Sequence, residues 1–191
     1  MDKLTCDFFG NILDSPIIAA INDINKIQNV IDSPCKISFL LTGDILNIEE
    51  AVNLLKKNDK LVFVHIDLIG GISKDITALK YINNVVKPDG IITTKSNIIK
   101  AAKDLDIFTI QRLFILDSLA LTTGINSIKS IRPDAVEILP GIMPKIIREV
   151  SRETRIPVIA GGLIRDKADV IDCLNAGAMG ISTSNEGVWY M

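Results

Sequence analysis

A histidine and an aspartate two residues apart, His65 and Asp67, close the apolar run that begins at Leu61. At that spacing two side chains share one face of a β-strand, which sets an imidazole beside a carboxylate. Such a pair can orient hydroxyls, pass a proton, or hold a ligand through charge-assisted hydrogen bonds. Other apolar runs also end on polar side chains: Lys95 after Gly90 to Thr93, Gln111 and Arg112 at the end of the Phe108 run, and Glu137 between Ala135 and Leu139. His65, Asp67, Lys95, Gln111, Arg112 and Glu137 are therefore candidates for a pocket that takes a small polar ligand. Alternation lets only one of Gln111 and Arg112 face inward with ease. If Gln111 does so, Arg112 must curl over the strand end. A lone histidine is as readily a hydrogen-bonded structural one, but its convergence with Asp67, Lys95 and Glu137 favours a pocket.

A second constellation stands nearer the C-terminus. The run from Ile156 closes on Gly161-Gly162, and the run after Met179 closes on Ser182-Thr183-Ser184. Glycine lets the backbone approach a ligand closely, while free N–H groups and small hydroxyls can hold phosphate oxygens. A glycine pair alone could be only a tight turn. Its place in the chain, before the last strand-like run, favours a phosphate site made of Gly161, Gly162, Ser182, Thr183 and Ser184.

These residues must be positioned by regular elements. Eight runs rich in Ile, Val, Leu and Phe read as strands: Ile17–Ile21, Ile37–Leu41, Leu61–Ile66, Gly90–Thr93, Phe108–Leu113, Ala135–Leu139, Ile156–Ala160 and Met179–Ser182. Their near-continuous apolar character is that of parallel strands covered on both faces. Amphipathic segments lie between them, with start signals at Asn47, Ser73, Ser96, Asp117, Pro144 and Asp166, and a stop at Gly177. A first helix near Asp23 to Ile31 and a last one after Ser184 carry weaker signals. Eight strand–helix alternations without a linker predict an α/β fold, a compact single-domain (β/α)8 TIM-type barrel over residues 1–191. The runner-up is an open doubly wound sheet. In such a barrel the polar side chains above would all lie at the C-terminal ends of the strands, the face that carries function.

Composition narrows the function classes. With 48% apolar and 23% charged residues the chain is globular rather than disordered. It has no signal-peptide pattern and no apolar run long enough for a membrane span, so a cytoplasmic protein without a membrane partner is expected. Cys6, Cys35 and Cys173 show no metal or redox spacing, and no metal or cofactor is expected. The formal net charge of -2 lacks the basic surplus of a large nucleic-acid footprint. Any RNA-binding face must then be a local patch, or one completed in a homo-oligomer.

Six blocks together resemble the glycerol-uptake operon antiterminator family: FVHIDLIGG from Phe63, GIITTKSN from Gly90, FTIQRLFILDS from Phe108, VEILPGIMPK from Val136, IPVIAGGLI from Ile156 and AGAMGISTSNEGVW from Ala176. The match runs in order from about Pro16 to Trp189, and departs at Gly70, where a larger polar residue is expected. The resemblance implies a non-catalytic, RNA-binding regulator. It would bind the leader mRNA of glycerol-utilisation operons, prevent premature termination, and take glycerol 3-phosphate as effector. The residues alone also admit a barrel enzyme acting on a small phosphorylated metabolite. Asp67 and Glu137 would then be its acid–base groups and Lys95 a Schiff-base amine.

Overall fold

The computed structural model describes residues 3–191. Eight parallel strands close into a barrel in chain order: β1 Ile17–Ile21, β2 Ile37–Leu40, β3 Leu61–His65, β4 Gly90–Thr93, β5 Phe108–Phe114, β6 Ala135–Leu139, β7 Val158–Gly161 and β8 Gly180–Thr183. The open-sheet alternative is thereby excluded, since β1 pairs with both β2 and β8. Every strand lies within two residues of its expected position.

Each strand has two faces, and both are dry. One set of alternate residues, including Ile18, Phe39, Phe63, Ile92, Phe108, Ile110 and Ile159, packs inside the barrel. The other set, including Ala19, Val62, Val64, Ile91, Val136, Val158 and Ile181, packs under the helices. This double burial explains why the strands read as unbroken apolar runs.

One element lacked a signal strong enough to read. The first described element is a helix, α1 (Lys3–Asp14), whose Phe8 and Ile12 are buried. The Phe8 ring meets those of Phe63 and Phe108 at 5.0 and 4.7 Å between centroids, which plugs the N-terminal end of the barrel. The opposite end is left for ligands.

The remaining helices are α2 (Ile27–Asp32), α3 (Ile48–Lys57), α4 (Ile76–Tyr81), α5 (Ser96–Lys103), α6 (Ser118–Ile131), α7 (Pro144–Thr154), α8 (Lys167–Asn175) and the single turn α9 (Glu186–Trp189). Asp117 and Asp166 cap α6 and α8 as their side chains imply, accepting from the N–H groups of Ala120 and Asp169. Two expected starts differ. α4 is capped by Asp75 rather than Ser73, because the Asp75 carboxylate accepts from Ala78 N–H. Asn47 precedes α3 but turns back to accept from the Asp44 N–H at 2.9 Å, closing the loop after β2 instead of capping the helix. That loop pairs with Gly70, whose N–H donates to Gly43 O and whose carbonyl accepts from Ile45 N–H. A Cβ at Gly70 would lie 3.3 Å from that of Asp44, so the departure at this position suits a tight junction between two loops.

Replacing Asp117 with alanine is expected to destabilise the protein by about 1 kcal/mol through loss of the α6 cap. Urea unfolding measures it. An unchanged midpoint would show that the bond at 2.7 Å contributes nothing net.

Candidate functional site

β5 and β6 build the centre of the mouth. Phe108 and Ile110 point into the barrel, so alternation sends Arg112 inward as well and Gln111 outward. Ala135 likewise directs Glu137 inward, and the register places Arg112 directly opposite Glu137. Their side chains meet as Arg112 Nε donating to Glu137 Oε2 at 2.6 Å, with only 6% and 1% of the two side chains exposed. On the other side of Glu137 stands Gly161, where a Cβ would come within 2.6 Å of Oε1. Gly161 therefore makes room for the carboxylate.

Above this pair opens a cavity of about 290 Å³, lined by Arg112, Glu137, Gly162, Ser182, Thr183 and Ser184 of the expected residues. Asn22, Asn185, Leu41, Leu139, Leu163 and Ile164 also face it, as does Ala20. Gly162 has φ +75, a left-handed conformation that turns the chain after β7 along the cavity wall. The loops after β7 and β8 are then tied together. Thr183 Oγ1 donates to Ile164 O at 3.2 Å, and Asn185 Nδ2 donates to Arg165 O at 2.8 Å. Thr183 thus ties the two loops together, whereas Ser182, Ser184 and Asn22, which also line the cavity, have side chains without hydrogen-bond partners among the described residues. The guanidinium keeps its outer N–H groups for the cavity, since only Nε is engaged. The arrangement presents one fixed cation, small hydroxyls and a carboxylate around one cavity. That is the equipment for a small phosphate ester carrying hydroxyl groups.

The other expected residues lie outside the cavity lining. His65 ends β3 facing inward and is buried. Its Nδ1 has no hydrogen-bond partner among the described residues and lies 4.0 Å from Asp67 Oδ2. Burial, then the charge of Arg112, depresses its pKa from 6.5 to about 4. Asp67 sits past the strand, in the single 3-10 turn Ile66–Leu68. Its carboxylate accepts from Thr93 Oγ1, from Thr94 N–H and from Thr94 Oγ1, all within 3.0 Å. Burial raises its pKa, yet those donors outweigh it and hold the group below its ordinary value. It clamps β3 to the end of β4. Lys95 precedes α5, and its Nζ donates to Lys74 O at 3.2 Å along the rim. Gln111 is the clearest departure from the expected pocket. It faces the helices, where Nε2 donates to Ser127 Oγ at 3.0 Å, while its Oε1 has no partner among the described residues.

Two polar contributors to the lining were not foreseen, Asn22 and Asn185. Asn22 immediately follows β1, so reading the first strand end as the others were read would have found it. Asn185 directly follows Ser184. Among the described residues no group of three or more His, Cys, Asp or Glu side chains could hold a metal ion, and no helix is long and apolar enough to cross a membrane.

Comparison with known proteins agrees with this fold. Residues 17–189 match the model of the family described as glycerol-3-phosphate responsive antiterminator. The uncharacterized protein YgcP of Escherichia coli (strain K12) is 40% identical over 175 residues, covering 92% of each chain. The crystal structure of the glycerol uptake operon antiterminator regulatory protein from Listeria monocytogenes superposes with a TM-score of 0.89 at 32% identity, covering 92% of this chain and 95% of that one. A glycerol uptake operon antiterminator-related protein from Thermotoga maritima superposes with a TM-score of 0.83 at 35% identity, covering 92% and 98%. The chain belongs to the glycerol-3-phosphate responsive antiterminator family.

Proposed function

We propose that glycerol 3-phosphate binds in the cavity at the C-terminal mouth and that its binding controls the protein's grip on the leader mRNA of glycerol-utilisation operons. The observation that carries this reading is the buried Arg112 guanidinium, held through Nε by Glu137, in a cavity that Ser182 and Ser184 also line. The phosphate is seated by Arg112 and the Gly162 to Ile164 and Ser182 to Ser184 loops. The glycerol hydroxyls reach Glu137 and Asn22. The protein works in the cytoplasm as a regulator rather than by turnover. The only lysine proposed for a Schiff base, Lys95, is not among the residues that line the cavity.

A ligand shifts an RNA-binding equilibrium only through different affinities for the two states, so the effector must also stabilise the fold it selects. Glycerol 3-phosphate at a hundred times its dissociation constant is expected to add about 2.7 kcal/mol of stability, and glycerol at the same concentration far less. Thermal unfolding with each compound, alongside retention of leader RNA with and without glycerol 3-phosphate, tests both halves. Equal shifts from the two compounds would remove the phosphate site. Multiple turnover of a small phosphorylated metabolite without RNA retention would replace the regulator by an enzyme.

A further inference from the structure

We propose that the outward face of α7, continued by the end of α6, is the surface that binds the phosphate backbone of RNA. The inference rests on the RNA-binding reading above and assigns that reading a place on the molecule.

Lys145, Arg148 and Arg152 are spaced by three and four residues, so they form one stripe along α7, and Arg155 follows at its C-terminal end. At 1.5 Å per residue the helical part of the stripe is about 10 Å long. Lys129 and Arg132 from the end of α6 stand beside its lower half, across a groove that also contains Glu153 and Thr154. All six cations are exposed, against only two exposed acids on the stripe itself, Glu149 and Glu153. In a chain of net charge -2 this is a local reversal of sign.

The cations are also unspent. Lys129 pairs with Glu153 at 2.7 Å, but among the described residues the side chains of Arg132, Lys145, Arg148, Arg152 and Arg155 have no ion-pair or hydrogen-bond partner. Elsewhere Lys26 and Lys56 are paired with Glu186 and Asp89, while Lys57 and Lys80 are as free as the stripe's cations, so what sets the stripe off is the gathering of free cations in one row. Arg132 and Arg155 further hold left-handed positions at the helix ends, with φ +52 and +56, where glycine is the usual residue. Each brings a guanidinium to the edge of the groove. With no aromatic side chain on the stripe or in the groove, the surface offers charge and forked donors rather than base stacking. That suits a phosphate backbone and no particular base.

The stripe is also joined to the effector cavity. The loop that leads into α7 is fastened by Gly141 N–H donating to Gly161 O at 2.6 Å and to Gly162 O at 3.2 Å. Leu139 and Gly162 line the cavity. A ligand against Gly162 therefore pushes on the start of the helix that carries the cations.

The test uses the full chain with saturating glycerol 3-phosphate and the 5′ leader of its own glycerol-uptake transcript, read by fluorescence anisotropy across a salt series. The variant Arg148→Gln/Arg152→Gln is expected to lose about tenfold in affinity. It should also flatten the log–log salt slope by about 1.4, the value for two lost single-strand phosphate contacts. A control with two exposed cations removed on the other side of the barrel, Lys57→Gln/Lys80→Gln, should stay within about twofold of the parent. Calorimetry with glycerol 3-phosphate should show unchanged effector binding in both, which reports that the fold is intact. A parent that binds while the α7 variant keeps both affinity and slope overturns the surface and leaves the regulatory reading standing. An equal loss in the control overturns it too, as would a parent that retains no RNA, and in that case the regulatory reading falls with it.

Discussion

Arg112→Met is expected to abolish measurable glycerol 3-phosphate binding and to destabilise the fold by about 3–5 kcal/mol. Both effects follow from one geometry. Arg112 and Glu137 face each other across β5 and β6, almost wholly buried, with Nε and Oε2 at 2.6 Å. Removing the guanidinium leaves the carboxylate in a site that Gly161 shapes around it, without a countercharge. It also removes the cation proposed to meet the phosphate, and each charged hydrogen bond lost from such a contact costs about 1.5–3 kcal/mol, or ten- to a hundredfold in affinity. The two effects separate in a second variant. Arg112→Met/Glu137→Leu replaces the buried pair with apolar side chains, and stability should return to near that of the parent because neither charge needs to be desolvated. Binding should not return. Denaturant unfolding and calorimetry on the two variants decide the matter. A double variant that binds glycerol 3-phosphate like the parent would show that Arg112 does not hold the phosphate.

That Arg112, and not Gln111, takes the inner position is where sequence reading reached its end. Alternation along β5 says that the two side chains oppose each other, but not which of them faces inward. The choice is made by Phe108 and Ile110, which are inside because Phe8 of α1 packs against Phe108 from below. α1 itself offers only a narrow stripe, Leu4, Phe8 and Ile12, interrupted by polar residues and Gly10. Asp67 illustrates a similar limit. Its spacing from His65 was legible, but its partners Thr93 and Thr94 come from the next strand, 26 and 27 residues away. The strands were easier to read because burial on both faces writes itself into composition. The strand start displaced furthest is that of β7, which begins at Val158 rather than Ile156 because Pro157 has no N–H to give to a ladder, while β8 begins one residue late, at Gly180. That Gly162, Ser182, Thr183 and Ser184 line one cavity was legible from their place at the ends of the last two strands, whereas the structural work of Gly161 beside Glu137 and of Thr183 on Ile164 O was not.

The stability of the protein is expected to fall by about 3 kcal/mol as the pH drops from 6.5 to 4, through His65 alone. Burial and the neighbouring Arg112 depress the pKa of the folded imidazole to about 4, while the unfolded chain keeps the ordinary 6.5. Between those values the unfolded chain binds a proton that the folded chain refuses, so acid favours unfolding. The contribution is fully present above pH 6.5, falls at up to about 1.4 kcal/mol per pH unit, and levels off below 4. Asp67 acts in a different window. Its folded pKa lies below the ordinary 3.8, so the stability it supplies is lost only as the pH falls beneath that value. Since His65 is the only histidine, the range from pH 5 to 6.5 belongs to it. Urea unfolding across this range should show the slope in the parent and a flat line in His65→Gln, whatever the absolute stability of the variant. The imidazole carbon-bound protons, followed by NMR, should titrate in the folded protein near 4. A phosphate dianion seated on Arg112 offsets the second cause of the depression, so saturating glycerol 3-phosphate should move that midpoint upward and make the resonance a direct report of occupancy. A folded-state midpoint near 6.5, or a slope that survives in His65→Gln, would show that His65 is neither as dry nor as close to the Arg112 charge as the barrel places it.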